Sequence, residues 1–125
     1  MNTPSNLKYA KTDEWFDPAS GKVGITDYAQ NQLSDIVFVE IHVEAGQAVK
    51  AGQAIASVES VKAASEIYAP ASGTVSAVNA DLPLKPETLN SDPFGAGWMI
   101  QLEGGSAGDL MDAAAYEKHC ASRDH

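Results

Sequence analysis

The 125-residue sequence predicts one all-β domain, a sandwich or barrel of short strands. Three observations carry this reading. Short runs rich in β-branched and aromatic residues recur at near-regular spacing, and Gly and Pro punctuate them. The strongest run, DIVFVEIHV at 35–43, alternates Glu40 and His42 with Val39, Ile41 and Val43, the period of a strand with one buried face. With 44% apolar and 20% charged residues, the chain has an ordinary globular composition and is long enough for one modest core, so residues 1–125 are read as a single domain.

Taken in order, Leu7–Tyr9 and Glu14–Phe16 read as short strands. The DPASGK turn at 17–22 leads into a third, VGIT. Thr26 is an expected N-cap for a short helix, DYAQNQL, with Tyr28 and Leu33 facing inward. After the 35–43 strand come turns at Ala45–Gly46 and Gly52, then AIASVES, whose Ile55 and Val58 are out of step with strict alternation, so part of it must be irregular. SEIYAP is a strand stopped by Pro70, and Gly73 is expected to turn the chain into TVSAVN, with Val75 and Val78 buried. EIHVEAGQAVKAG and EIYAPASGTVSAV echo one another as two similar units. DLPLKPETLNSDPFGAGW reads as an extended loop, and WMIQL as the last strand. DLMDAAAYEKHCA is read as a C-terminal helix with Leu110, Ala114 and Tyr116 on one face.

The net charge is −9, which would repel nucleic-acid backbones and suits partners with basic surfaces. No apolar run approaches the roughly 18 residues of a membrane span. The N-terminal MNTPSNLKYAKTDEW has neither a signal-peptide apolar stretch nor an Arg/Ser-rich transit bias, so the bacterial cytoplasm is the expected location. The lone Cys120 is read as a small apolar residue on the last helix. With His42, His119 and His125 scattered, no metal site is expected.

SVESVKAAS at 57–65 sets Lys62 at the centre of a strand–turn–strand stretch, where Gly, Asn or Asp would be usual. Such a lysine can be a solvated charge, a desolvated Schiff-base nucleophile or an acceptor of covalent modification. A nucleophile needs a pocket and nearby acid–base groups, which a small domain of short strands does not supply here. An acceptor needs a prominent, rigid turn. Val58 and Val61 are expected to pin the hairpin while Ala63 and Ala64 leave the amine open, and Glu59 and Glu66 bracket it.

ESVKAASEIYAPASGTV resembles the modified-lysine hairpin of lipoyl and biotinyl carriers. Val61 and Ala63 stand where biotin carriers have methionines, so the lipoyl branch is the better match. With DEW near the start, VGITDYAQNQLSDIVFVE and LNSDPFGAGWMI in the same order, the chain is similar to the H-protein family of the glycine cleavage system from residue 7 to about 120. The resemblance implies a barrel-sandwich hybrid of two antiparallel sheets with short helices, and makes the echoed units its two quasi-symmetric halves. It further implies a non-catalytic, monomeric carrier with lipoate bound covalently to Lys62. Such a carrier would take an aminomethyl group from glycine decarboxylase (P protein) to aminomethyltransferase (T protein) and electrons to dihydrolipoyl dehydrogenase (L protein), after modification by lipoate-attaching enzymes. Glu14, and with it Glu59 and Glu66, are the expected carboxylates for contact with the arm; the alternative for Glu14 is an exposed strand carboxylate. Three departures from the family pattern stand out: Asp13 replaces the usual His, FDPASGKV is short, and Gln32 stands where some relatives have His. A trimmed first hairpin and a displaced Glu14 are therefore expected. An H-like carrier for sulfur-compound oxidation or lipoyl relay is the alternative function.

Overall fold

The computed structural model describes residues 2–106 and 110–123. Among the described residues, nine strands form two antiparallel sheets. β1 (Lys8–Tyr9), β2 (Glu14–Phe16), β3 (Lys22–Ile25), β5 (Ala48–Val49), β8 (Ser72–Val78) and β9 (Ile100–Ser106) make a six-stranded sheet in the order β1-β2-β3-β9-β8-β5. β4 (Ile36–Ile41), β6 (Ala54–Ser60) and β7 (Ala64–Tyr68) make a three-stranded sheet with β6 in the middle.

The core lies between the sheets. Ile55, Val58 and Val39 from the small sheet meet Val23, Ile25, Val75 and Ile100 from the large one, all at 2% exposure or less. Each such side chain contributes about 1.5–3 kcal/mol on burial. The offset of Ile55 and Val58 has its cause in a register shift of β6 against β7 between Ala54 and Ala56. A second shift, between Ile36 and Phe38 in β4, leaves both Val37 and Phe38 facing solvent.

The echoed units make the same crossover. One passes from β4 in the small sheet to β5 in the large, the other from β7 to β8. Ala48 of β5 pairs with Thr74 of β8, the residue at the same place in the second copy. Reciprocal bonds, Gly52 N to Ala69 O (2.8 Å) and Ala69 N to Gln53 O (2.8 Å), tie the β5–β6 turn to the second crossover. The buried pairs Val43/Ala69 and Val49/Val75 hold matching positions.

Several local expectations are corrected. Gly73 lies inside β8, paired with Val49, and the turn falls earlier, between β7 and β8. The 81–98 segment is no open loop. It folds a 3-10 turn at Leu82–Leu84 and α2 (Thr88–Ser91), which carry Leu82 and Leu89 into the core because its prolines limit the chain to short helical turns. The last strand begins at Ile100, two residues later than Trp98. The C-terminal helix, α3, spans Ala113–Arg123 and buries Tyr116 and Cys120; Leu110 precedes it and Ala114 is exposed. Asp109, where that helix was expected to begin, lies outside the described residues. Helix α1 (Asp27–Leu33) starts where expected, with the Thr26 hydroxyl accepting from Ala29 N at 3.1 Å. No helix among the described residues is long and apolar enough to cross a membrane.

Candidate functional site

Lys62 stands exposed at the tip of the β6–β7 hairpin. The turn is closed by Ser60 N donating to Ala63 O at 2.8 Å, which leaves Val61 and Lys62 as its two central residues. Neither has positive φ, so the usual need for Gly or Asn in a two-residue hairpin loop is avoided. Ser60 takes over that job: its hydroxyl accepts from Lys62 N (3.3 Å) and Ala63 N (3.1 Å) and lies 3.2 Å from Ala63 O. Val61 N donates to Asp35 O at 3.0 Å and moors the tip to the start of β4. The expected pinning by Val58 holds, with that side chain wholly buried. The pinning by Val61 does not: its side chain is 67% exposed and only its backbone is anchored. Ala63 and Ala64 are exposed and leave the amine open.

Glu59 and Glu66 lie on the outer face of the small sheet. Phe38, Glu59 and Ala64 form one cross-strand row, and Glu40, Ser57 and Glu66 the next. Ser57, Glu59, Ala64 and Glu66 line a shallow groove of about 250 Å³ beside the tip. Exposed Val37, Phe38 and Val61, with Asp35, Glu40, Glu59 and Glu66, make the ground around Lys62 apolar and acidic. His42 crosses this face, with Nε2 at 2.7 Å from Ser57 Oγ and Nδ1 at 3.3 Å from Glu40 Oε1. Those are the distances of a serine nucleophile, its base and an orienting acid. Ser57, however, sits mid-strand in β6 and is paired on both sides, so the adjacent amides serve the ladder and are not aimed at an oxyanion. A larger hollow of about 450 Å³ beside Asn79, Lys85, Thr88 and Trp98 is lined by none of Glu14, Glu59, Lys62 and Glu66. Among the described residues, no three His, Cys, Asp or Glu side chains gather as metal ligands would.

Glu14 is not the exposed strand carboxylate that the sequence allowed. It is fully buried at the start of β2. Its Oε2 accepts from Tyr68 N of β7 at 3.2 Å, and its Oε1 accepts from the Thr12 hydroxyl. Burial pushes its pKa up to about 7, against the opposing pull of these two bonds. Tyr68 stands four residues along β7 from Ala64, about 13 Å at 3.3 Å per residue. The hairpin therefore runs from the Lys62 tip to the Glu14 carboxylate, whereas Glu59 and Glu66 occupy its outer face.

The motifs that read as separate stretches converge on this corner. Trp15 of DEW packs on Phe94 of DPFGAGW, with ring centroids 6.0 Å apart, and donates from Nε1 to Pro93 O at 3.0 Å. Gly24 of the GIT stretch lies against Trp15, where a Cβ would meet the indole at 2.7 Å. Asp92 folds DPFGAGW around itself, accepting from Ala96 N through Oδ2 at 2.8 Å. The short FDPASGKV turn closes compactly on Asp17, whose carbonyl accepts from Gly21 N at 2.7 Å. Sequence reasoning gave Thr12, Tyr68 and Arg123 no role in the site and took Tyr116 only as a packing residue of the last helix; Tyr68, Tyr116 and Arg123 enter through contacts distant in the chain.

Asp13 has φ +76°, a left-handed conformation Asp tolerates. Its carboxylate accepts from Tyr116 Oη (2.8 Å), Arg123 Nη1 (3.0 Å) and Arg123 Nη2 (2.8 Å), all from α3. Because the one Tyr116 proton goes to Asp13, the Thr26 hydroxyl donates to Tyr116 Oη at 2.7 Å. Gln32 is exposed on α1.

The family model for the glycine cleavage H-protein matches residues 7–123. The glycine cleavage system H protein of Deinococcus radiodurans is 55% identical over 115 residues, covering 92% of this chain and 94% of the relative. That of Thermotoga maritima is 46% identical over 119 residues, with 91% and 95% covered. The crystal structure of a glycine cleavage system H protein from Mycobacterium marinum superimposes with a TM-score of 0.84 at 35% identity, over 98% of this chain and 99% of that one. With both sheets and the motif corner in place, the barrel-sandwich architecture is established, and the chain belongs to the glycine cleavage H-protein family.

Proposed function

We propose that the chain is a lipoyl-lysine carrier of the glycine cleavage system, with Lys62 as the attachment point and no catalytic group of its own. The observation that carries this reading is the Lys62 tip: an exposed amine on a turn made rigid by Ser60 and by the Val61–Asp35 bond, flanked by small, open residues. The amine fits an acyl group because nothing crowds it. Lipoate, once attached there, supplies a disulfide that accepts an aminomethyl group and is recycled by oxidation of the dithiol.

The chain's own residues display and steer the arm. The β6–β7 hairpin holds the attachment point away from the core, which gives it a high local concentration at each docked partner. The partners are a glycine decarboxylase, an aminomethyltransferase, a dihydrolipoyl dehydrogenase and the enzymes that attach lipoate. Val37, Phe38 and Val61 offer apolar contact beside the lysine, and Asp35, Glu40, Glu59 and Glu66 favour partners with basic rims. Acylation removes the Lys62 charge and takes the net charge from −9 to −10, which deepens the acidic field. Glu14 is the carboxylate that pairs with an amine at the end of the arm, and Glu59 and Glu66 contact the arm on the outer face. The carrier works as a monomer in the bacterial cytoplasm.

Expression with lipoate and its ligase tests the attachment. Intact mass should show one lipoyl group, and Lys62→Ala should show none. An unmodified wild-type chain, or a modified Lys62→Ala chain, would sink the proposal.

A further inference from the structure

The Glu14 carboxylate is sealed. It is fully buried, with Thr12 over one oxygen and Tyr68 N on the other, so nothing reaches it unless the β1–β2 turn opens. That turn, Ala10–Asp13, is closed by Asp13 N donating to Ala10 O at 3.0 Å, with Asp13 in the left-handed region where glycine is the usual choice. What holds it down comes from the other end of the chain. Arg123 forks onto both Asp13 oxygens at 3.0 and 2.8 Å, donates from Nη1 to Lys11 O at 3.1 Å, and lies 4.4 Å over the Tyr28 ring. Tyr116 adds the bond to Asp13 Oδ1 and carries the network on to Thr26. The Asp13 and Arg123 side chains are 19% and 31% exposed, so water and salt screen the pair less than a surface pair. The charged and titratable side chains facing the turn from α3 are Arg123, Tyr116 and His119, whose Nε2 lies 3.4 Å from Lys11 O. The fork needs both nitrogens in one plane, which a lysine at 123 could not reproduce.

We propose that Arg123, acting through Asp13 with help from Tyr116, is a positioning residue for Glu14: the α3 clasp keeps the 10–13 turn shut over the buried carboxylate, and its release is the step that opens Glu14 to the arm. The idea rests on the reading of Glu14 as the arm's carboxylate, but its first test does not. The Tyr68 amide, which donates to Glu14, and the Thr26 amide, which donates to Asp13 O at 3.0 Å, report on the turn directly.

Native-state hydrogen exchange on the full, unlipoylated chain compares wild type with Arg123→Gln, Arg123→Lys and Asp13→Asn, the last keeping a side chain that tolerates positive φ. Loss of the fork should speed exchange at Tyr68 and Thr26 by about tenfold, and leave the amides of Val58 and Ile100 in the core strands unchanged. Tyr116→Phe, which keeps the ring, should give a smaller change in the same amides. If Tyr68 and Thr26 exchange as in wild type in all three Asp13 and Arg123 variants, the clasp is refuted. Equal acceleration at Val58 and Ile100 also refutes it, because Arg123 then only stabilises the whole fold. A second measurement, ammonia release from the loaded, lipoylated carrier, should be slower in Arg123→Gln than in wild type, because the opened turn frees Glu14 to pair with the amine of the arm. If the amides accelerate but release is the same in wild type, Arg123→Gln and Glu14→Gln, the clasp stands and the role of Glu14 toward the arm falls.

Discussion

Replacing Glu14 by Gln should make the protein more stable, and only above a certain pH. The native state holds the Glu14 proton more tightly than the unfolded chain, because burial raises the carboxyl from its ordinary 4.5 to about 7. The stability this contributes is fully present below about pH 4.5 and is lost as the pH rises to about 7, where the buried group must ionise. A shift of this size corresponds to roughly 3 kcal/mol. Gln keeps the shape, can accept from Tyr68 N and can donate to Thr12, and never ionises. Urea titrations of both proteins from pH 4.5 to 8.5 isolate the effect as a difference. The two should match near pH 4.5, and Glu14→Gln should gain steadily to about 3 kcal/mol at pH 8, on the order of 10 °C in Tm. A difference independent of pH, or one that falls as pH rises, would refute the argument, since it would mean Glu14 is solvated or held ionised in the native state.

Other expectations follow from single contacts. Gly21→Ala should cost on the order of 3 kcal/mol in urea unfolding, because φ is +82° and a Cβ would stand 2.0 Å from Leu102 O. Leu89→Ala, emptying a fully buried site on α2, should cost about 2–5 kcal/mol in the same assay. Val61→Ser should change stability by less than about 0.5 kcal/mol. The same variant should lower kcat/KM for lipoate attachment about tenfold, read by mass spectrometry, since its exposed side chain is available to a partner and not to the core.

How much of this was legible in the sequence depends on how far apart the interacting residues lie. The DIVFVEIHV alternation and the Thr26 cap are local signals, and both elements form where their chemistry places them. The hairpin carrying Lys62 was also legible, because its turn and flanking strands are contiguous. Gly73 misled because glycine usually punctuates; here it lies within β8 opposite Val49. Leu82 and Leu89 were hidden inside a Pro-rich stretch whose burial depends on packing against distant strands. Glu14 could be named from its motif but not placed, since its burial depends on Tyr68, and Asp13 looked like a bare departure until Arg123 was found opposite it. Nothing in the local pattern around Asp13 points to a partner at the far end of the chain.

The most direct test of the carrier role is exchange of the glycine carboxyl carbon with labelled bicarbonate, catalysed by a glycine decarboxylase supplied with the lipoylated chain. Exchange should saturate with the lipoylated protein and vanish with Lys62→Ala. Exchange that persists in Lys62→Ala would contradict the assignment of the attachment point. A fully lipoylated wild-type chain that supports none would contradict the glycine cleavage role and leave a lipoyl carrier of another system.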